Sequence, residues 1–406
     1  MLRNMVAVLA AIGLVFALAA ALPVQGQQSP FPYPRSTKPV ESVIVYSDMY
    51  LDPQDNLLIT LLTLGGGLAR SQPRLYRIPK LYSPTPSDDS YSTWLTTMRK
   101  HCSNQKLEID LSMIRNPYHI LSLFRKDITG YVLYNTSDGS VNAALTYIAA
   151  QNSSELLVAT SATSNKTMSM LKSWNIPFVA DVSGLREGAV YKSRGGIKAF
   201  SGNMISFQHP ELYPNLAEYA IFARMPTLEY STDTKRFPDG GDQVRDAIAE
   251  FGATNGIKAA FGWGPEYQYV SKLGEHGFFV HASDMAHNVA VLSNYKCLSV
   301  REDTKSTKNI EMKFNGVAKL LGDDHKHRIA FLMTDGDNLQ WLMNSFTTSE
   351  NWGGSKSRGQ IPIGWTISPG LNELASPIIA YLKETRTPND DFVGAPSGKL
   401  KTCAHY

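Results

Sequence analysis

Residues 329–338 read Ile-Ala-Phe-Leu-Met-Thr-Asp-Gly-Asp-Asn. The apolar half predicts a strand, and the polar half places Asp335, Asp337 and Asn338 just beyond the carboxyl end of that strand. If the backbone stays extended, Asp335 and Asp337 point to the same face, because side chains alternate along a strand. Two nearby carboxylates can act as acid and base, or can bind a cation through oxygen. The alternative is that Asp337 and Asn338 only cap the following helix.

The same alternation of strand and helix extends along most of the chain. Predicted strands are Ser42–Tyr46, Arg74–Ile78, Tyr131–Tyr134, Glu155–Thr160, Pro177–Asp181, Ile257–Gly262, Phe278–His281, Arg328–Thr334, Ile361–Thr366 and Asp391–Gly394. Helical patterns separate most of these strands, which indicates parallel βαβ units and an α/β fold. Two stretches rich in glycine and proline, Ser193–Pro214 and Thr232–Gly241, predict loops and soft domain boundaries. The regular units of the last part favour a (β/α) barrel or a related open sheet.

Composition and charge exclude several classes of protein. The 406 residues are 43% hydrophobic and 18% charged, which rules out a disordered chain. The 39 basic and 36 acidic residues give a net charge of +3 without a basic block. We therefore expect neither a nucleic acid nor an anionic membrane as a partner. The sequence has no GxGxxG, Walker, HExxH or GxSxG motif, and we expect no cofactor and no resident metal.

The N-terminus has the pattern of a secretory signal peptide. Arg3 precedes the apolar run Met5–Leu22, and a small residue at a polar junction allows cleavage after Gly26 or after Ala21. The alternative is a signal anchor, although no basic cluster follows the run. We expect a secreted protein that has no contact with the membrane after cleavage.

Secretion changes how the cysteines and asparagines are interpreted. Three cysteines allow at most one intramolecular disulfide, so the chain is not a disulfide scaffold. Three sequons lie close together in the sequence and predict N-glycosylation at Asn135, Asn152 and Asn165.

Other candidate site residues also follow predicted strands. Trp263 and Glu266 follow Ile257–Gly262 and could supply a sugar platform and an acid, or could simply begin a helix. Asp284 follows the next strand and either contributes to a site or caps a helix. Trp365 ends a later strand, where it is either a sugar platform or a buried aromatic residue.

Several runs together resemble the GxGYxYP family, whose members are described as glycoside hydrolases. The C-terminal runs are Thr334–Asn338, Ile361–Pro369, Leu374–Pro377, Asn389–Phe392 and Ala395–Gly398. Three earlier runs are similar to the N-terminal modules of that family: Pro73–Tyr76, Gly262–Glu266 and Ala282–Asp284. The resemblance implies secretion, a carbohydrate substrate, and small α/β modules followed by a TIM-barrel-like catalytic domain. The expected segments are a signal peptide at 1–26, modules at 38–125, 126–195 and 196–300, and the barrel-like domain at 301–406.

Roles within this framework are our own assignment. Expected catalytic residues are Asp335, Asp337 and Glu266. Expected substrate-binding residues are Trp263, Asp284, Asn338 and Trp365. Two other functions stay open: a non-catalytic glycan-binding or inactive product, and a glycosyltransferase that holds a metal and a sugar nucleotide through Asp335 and Asp337. The oligomeric state stays open as well.

The chain departs from the family pattern at its naming motif. Only Gly398 is kept, and Lys399–Ala404 replaces the rest. We expect a truncated product, with a tail that reads through an unspliced intron and an incomplete barrel. Cys403 then belongs to the tail, which leaves Cys102 and Cys297 as the expected native pair.

Overall fold

The computed structural model describes residues 33–394, with gaps at 53–54, 80–89, 102–106, 114, 153, 201–202, 209–214, 231–240, 265, 296, 298–328 and 337. Its described strands form four separate parallel sheets. The α/β class and the parallel arrangement predicted from the sequence are therefore confirmed.

The first sheet contains the opening strands of the described chain. Its strands are β1 (Ser42–Ser47), β2 (Leu75–Ile78) and β3 (Glu108–Asp110), in the order β2-β1-β3. The helices that follow β1 and β2 are α1 (Leu57–Ala69) and α2 (Ser90–His101). Helix α1 is apolar on nearly all sides and mostly buried, as expected of a helix enclosed by other elements.

The second sheet repeats this pattern. Its strands are β4 (Gly130–Tyr134), β5 (Leu157–Ser161) and β6 (Phe178–Asp181), in the order β5-β4-β6. The accompanying helices are α3 (Pro117–Leu123), α4 (Val141–Ala149), α5 (Asn165–Ser173) and α6 (Glu187–Ser193).

The third sheet has four parallel strands in the order β10-β9-β7-β8. They are β7 (Met204–Phe207), β8 (Thr227–Leu228), β9 (Lys258–Gly262) and β10 (Phe278–Ala282). Its helices are α7 (Ala217–Phe222), α8 (Asp242–Gly252), α9 (Glu266–Glu275) and α10 (Val289–Asn294). The prediction of a loop over Ser193–Pro214 is wrong, because β7 lies inside it. The four residues of β7 are all buried, but Ser206 interrupts its apolar residues, and glycine and proline lie nearby on either side, so the sequence shows no clear strand pattern.

The fourth sheet contains the last described strands. They are β11 (Leu332–Met333), β12 (Ile363–Ile367) and β13 (Asp390–Gly394), in the order β11-β12-β13. Its helices are α11 (Leu339–Met343), α12 (Leu371–Leu374) and α13 (Ser376–Glu384). The described strands of this sheet do not close on themselves, so the structure shows an open sheet where a TIM barrel was expected. Strand β11 is also much shorter than the predicted Arg328–Thr334.

Helix α1 contributes to two cores at once. Ile59 and Leu62 belong to a cluster that includes residues of the second and third sheets, whereas Leu57, Leu61 and Leu64 belong to a cluster with the first and second sheets. The first three sheets therefore share apolar packing through α1. The division into modules at 38–125, 126–195 and 196–300 stays a prediction.

The structure bears on the expectations about membrane spans, the disulfide and the two termini. Within the described part of the chain, no helix is both long and apolar enough to cross a membrane. Cys297 is disulfide-bonded. Cys102 and Cys403 lie outside the described residues, as do the expected signal peptide and the C-terminal tail. The Cys102–Cys297 pairing therefore stays a prediction.

An N-terminal strap over Tyr33–Lys38 crosses several elements. The Tyr33 hydroxyl pairs with His281 Nε2 at 2.9 Å, and its ring lies 6.2 Å from that of Phe261. Arg35 forms an ion pair with Glu373 at 3.0 Å. The strap thus connects the third sheet to the α12 helix that follows β12.

Asp55 connects the segment before α1 to the start of α5. Its buried carboxylate accepts hydrogen bonds from the hydroxyls of Ser164, Thr167 and Tyr118 and from the backbone N–H groups of Lys166 and Thr167. Burial alone would raise the pKa of Asp55, but the hydrogen bonds from Ser164, Tyr118 and Thr167 outweigh it and the pKa lies below its ordinary value. The ionised form of Asp55 is therefore a stabilising element of the fold.

Replacing Asp55 tests this role. We expect Asp55→Ala to lower the free energy of unfolding by about 3 kcal/mol, because it leaves buried donors without an acceptor. Asp110 is an exposed control whose carboxylate accepts from the nearby Ser112 N–H, and we expect Asp110→Ala to cost less than about 0.5 kcal/mol. Urea denaturation at neutral pH measures both values.

The pH dependence of the free energy of unfolding provides a second test of the role of Asp55. A lowered pKa stabilises the folded state above the unfolded-state value of about 4, and this contribution is lost as the pH falls through the folded-state pKa. The difference in free energy of unfolding between wild type and Asp55→Ala should therefore be largest at neutral pH and should shrink as the pH drops below about 4. A difference that grew on acidification would contradict the assignment.

Candidate active site

The carboxyl ends of β9 and β10 are held side by side. Gly262 has φ +105°, and a Cβ at this position would lie 1.8 Å from the Phe207 carbonyl oxygen, so the close approach requires glycine. The Gly262 N–H donates to Ser283 Oγ at 2.9 Å. Because both strands end at this edge, the residues that follow them, Trp263 and Asp284, lie at the same end of the third sheet.

Trp263 is half-buried at this edge. Its ring meets the ring of Tyr269 in an edge-to-face contact with centroids 5.9 Å apart. Trp263 also packs against the core cluster that includes Tyr269. A platform role for Trp263 stays a prediction. Glu266 begins α9, and its side chain lies outside the described residues.

Asp284 is partly buried at this edge of the sheet. Its Oδ1 is buried and has no hydrogen-bond partner within the described part of the chain. Burial raises the pKa of Asp284, and hydrogen bonds from its own backbone and from the Gln340 side chain offset only part of this effect. The Tyr269 hydroxyl is likewise buried without a described partner, and its pKa is raised by burial and by the nearby Asp284.

The loop after β11 carries Asp335 in a strained backbone conformation. Asp335 has φ +71°, which is uncommon for residues other than glycine. The strand ends at Met333, so the extended backbone that would point Asp335 and Asp337 to the same face is not present at Asp335. The Asp335 side chain is exposed. Asp337 lies outside the described residues, and its position relative to Asp335 stays a prediction.

The left-handed turn at Asp335 is anchored by its neighbour in sequence. The Gly336 N–H donates to Thr366 Oγ1 at 2.9 Å, and Thr366 Oγ1 donates to the Met333 carbonyl at 2.9 Å. A Cβ on Gly336 would lie 1.7 Å from the Thr366 carbonyl oxygen. The end of β12 therefore fixes the loop that carries Asp335.

Asn338 caps α11, which is the alternative that the sequence left open. Its Oδ1 accepts from the Trp341 N–H at 3.2 Å, and its own N–H donates to the Asp335 carbonyl at 3.1 Å. The cap joins the Asp335 turn directly to the helix. A role for Asn338 in substrate binding stays a prediction.

Helix α11 then reaches the end of β10. The Gln340 Oε1 accepts from the Met285 N–H, and Asn344 Nδ2 donates to the Met285 carbonyl at 3.2 Å. The loop that carries Asp335 is therefore followed by a helix that contacts the backbone of Met285, the residue after Asp284. That Asp284 and Asp335 belong to one site stays a prediction. Sequence reasoning missed Gln340 and Tyr269, because neither residue follows a strand or forms part of a recognised motif.

Trp365 is placed differently from the sequence expectation. It is only 5% exposed, and its Nε1 donates to Asp390 Oδ1 at 2.8 Å. The Arg358 guanidinium lies 5.2 Å from the ring centre and forms an ion pair with Asp390 at 3.0 Å. The exposed sugar platform is therefore corrected to a buried aromatic residue, enclosed because its indole N–H satisfies a buried carboxylate.

The predicted acceptor asparagines differ in exposure. Asn152 and Asn165 are exposed, as a glycosylated side chain requires. Asn135 is half-buried, and its Oδ1 accepts from the Ser137 N–H at 3.0 Å and from the Ser137 hydroxyl at 2.9 Å. Among the described residues, no group of three or more His, Cys, Asp or Glu side chains could hold a metal ion.

Comparison with known proteins adds three family matches. Residues 128–193 match the GxGYxYP_N second domain, residues 202–294 the GxGYxYP third domain, and residues 325–399 the domain described as "GxGYxYP putative glycoside hydrolase C-terminal domain". These matches together span more than half of the chain.

A solved structure has a similar fold. It is described as "a putative hydrolase from Bacteroides thetaiotaomicron", with a TM-score of 0.66 and 19% identity over 93% of this chain and 68% of that chain. A search of curated proteins found no match.

The packing of Gly336 gives a prediction for the site loop. We expect Gly336→Ala to lower the free energy of unfolding by about 2 kcal/mol, because the added methyl group must displace backbone at the end of β12. A methyl group added to Gly394 in β13 would meet no atom within 4 Å, so Gly394→Ala is the matched control, with an expected change below about 0.5 kcal/mol. Urea denaturation of both variants checks this, and equal costs would contradict the tight approach at Gly336.

Proposed function

Because the chain belongs to the GxGYxYP family, we propose that it is a glycoside hydrolase in which Asp335 supplies the base or nucleophile. The observation that carries this proposal is the exposed Asp335 carboxylate beyond the end of β11, on a left-handed backbone that Gly336 and Thr366 hold in place. Strained residues of this kind concentrate at functional sites. Asp337 and Glu266 remain further candidate carboxylates of the same site.

The substrate of this reaction is a carbohydrate. The half-buried indole of Trp263 at the end of β9 offers an aromatic surface for a sugar ring, in the same sheet whose β10 end is held by α11. The family described by the C-terminal match supports the same substrate class.

The proposal includes a secreted, N-glycosylated protein. The N-terminal pattern of Arg3 followed by Met5–Leu22 supports passage through the secretory pathway. The exposed positions of Asn152 and Asn165 support glycosylation there. We also propose that the parallel β11-β12-β13 sheet is part of a (β/α) barrel, since its strands are adjacent in the order of the sequence.

Substitution of Asp335 tests the proposed chemistry. We expect Asp335→Asn to lower kcat/KM on a responsive aryl glycoside by about 1000-fold, because the amide cannot act as a base or nucleophile. Asp391→Asn is the matched control: this exposed carboxylate lies on β13 and forms an ion pair with Arg386. Its activity should equal that of wild type in a screen of aryl glycosides and oligosaccharides.

The same screen separates the alternative functions. Hydrolysis that is unchanged in Asp335→Asn would overturn the role of Asp335. Binding to a glycan array without hydrolysis would instead identify a glycan-binding protein. Metal-dependent binding of a sugar nucleotide would identify a glycosyltransferase.

Glycosylation gives a separate prediction. After expression in a eukaryotic secretory host, we expect Asn152→Gln and Asn165→Gln each to remove one glycan, because both acceptor side chains are exposed. Mass spectrometry before and after treatment with an N-glycosidase measures this. An unglycosylated wild-type protein in the medium would contradict it.

A further inference from the structure

We propose that Asp284 is the proton donor of this hydrolase and that Gln340 is the residue that positions it. This inference rests on the proposed function and adds the second carboxyl group that glycoside hydrolysis requires. It assigns Asp284 a catalytic role in addition to the substrate contact expected from the sequence.

The geometry around Asp284 has two features of a proton donor. The carboxyl group lies just beyond the end of β10, and its buried Oδ1 has no hydrogen-bond partner among the described residues. The Gln340 side chain lies beside the same carboxyl group. Burial of the unpaired Oδ1 disfavours the charged form, while the residue as a whole is only partly buried and stays within reach of a substrate.

Gln340 holds the backbone next to the carboxyl group. Its Oε1 accepts from the Met285 N–H, and its side chain lies beside the Asp284 carboxyl group. Asn344, one turn further along, binds the Met285 carbonyl. These two side chains hold both backbone groups of Met285, and therefore hold Asp284 against the helix that follows the Asp335 turn.

The surroundings of the two carboxyl groups differ in the way that an acid and a base require. Asp284 is largely enclosed, and burial raises its pKa, which keeps the proton on the group at a higher pH than usual. The buried Tyr269 hydroxyl is a titratable group that interacts with it. The Asp335 side chain is exposed to solvent. Contrasting environments of this kind separate the acid from the base in enzymes that use two carboxyl groups.

The step balances with water as the only co-reactant. As the bond from the anomeric carbon to the glycosidic oxygen breaks, its electron pair stays on that oxygen, which takes the proton of Asp284. If Asp335 is the base, the hydroxyl group of water ends on the anomeric carbon, the remaining proton of water passes to the Asp335 carboxylate, and exchange with solvent restores both groups. If Asp335 is the nucleophile, its carboxylate bonds to the anomeric carbon; water then replaces it there, and the remaining proton of water returns to Asp284.

The test compares two leaving groups on the same sugar. An alkyl glycoside needs protonation of its leaving oxygen, whereas a dinitrophenyl glycoside does not. We expect Asp284→Asn to lower kcat/KM on the alkyl glycoside by about 1000-fold and on the dinitrophenyl glycoside by less than about 10-fold. Asp181→Asn is the matched control, because Asp181 also ends a parallel strand but is exposed and bonds locally to the Ser183 N–H. It should be unchanged on both substrates.

The outcomes separate this inference from the proposed function. Equal effects of Asp284→Asn on both substrates, or no effect on either, would overturn the proton-donor role while the function stands. Absence of hydrolysis in the wild type on all substrates would overturn the proposed function and this inference with it.

A second variant keeps the inference falsifiable if Asp284→Asn does not fold. The Gln340 side chain beside Asp284 favours its charged form and lowers its pKa, so Gln340→Met should raise that pKa. We expect the alkaline limb of the pH profile of kcat/KM to move to higher pH in Gln340→Met, a shift that a purely structural role would not produce. An unmoved limb in a folded variant would overturn the inference.

Discussion

The Gln340 amide joins two sheets at the point where the candidate site forms. It accepts a hydrogen bond from the Met285 backbone and lies beside the Asp284 carboxyl group, while its own helix begins at the cap of the Asp335 turn. Each such hydrogen bond contributes only about 1 kcal/mol to stability, so its importance lies in geometry. Through this amide the Asp284 carboxyl group is linked to α11.

Hydrogen bonds and apolar packing elsewhere in the fold hold the elements that Gln340 connects. Gly262 and Ser283 hold the ends of β9 and β10 together, and Gly336 and Thr366 hold the Asp335 turn to β12. Helix α1 shares its apolar surface between the cores of the first three sheets. Strands β9 and β10 therefore belong to a well-packed sheet, which is the arrangement that precise positioning of catalytic groups requires, whereas the Leu332 side chain of β11 is exposed.

Local sequence predicted those elements whose apolar runs are long and clearly bounded. Strand β9 was expected at Ile257–Gly262 and lies at Lys258–Gly262, and β10 extends the expected strand by one residue. Strand β7 was missed because three apolar residues and a serine, with glycine and proline nearby, give no recognisable period. The left-handed Asp335, the burial of Trp365 and the bridge from Gln340 were also not predictable. Each depends on a partner distant in sequence, respectively Thr366, Asp390 and Met285.

The central claim is that the carboxyl groups of Asp284 and Asp335 act on one glycosidic bond. The most direct measurement is the distance between these two carboxyl groups in a crystal structure of the protein with a bound unreactive glycoside. The account predicts a separation between about 5 and 9.5 Å, with the glycosidic oxygen next to Asp284, where the shorter end would mean retention and the longer end inversion of configuration. Carboxyl groups that lie well beyond about 10 Å from each other, or a glycoside bound elsewhere, would contradict the claim.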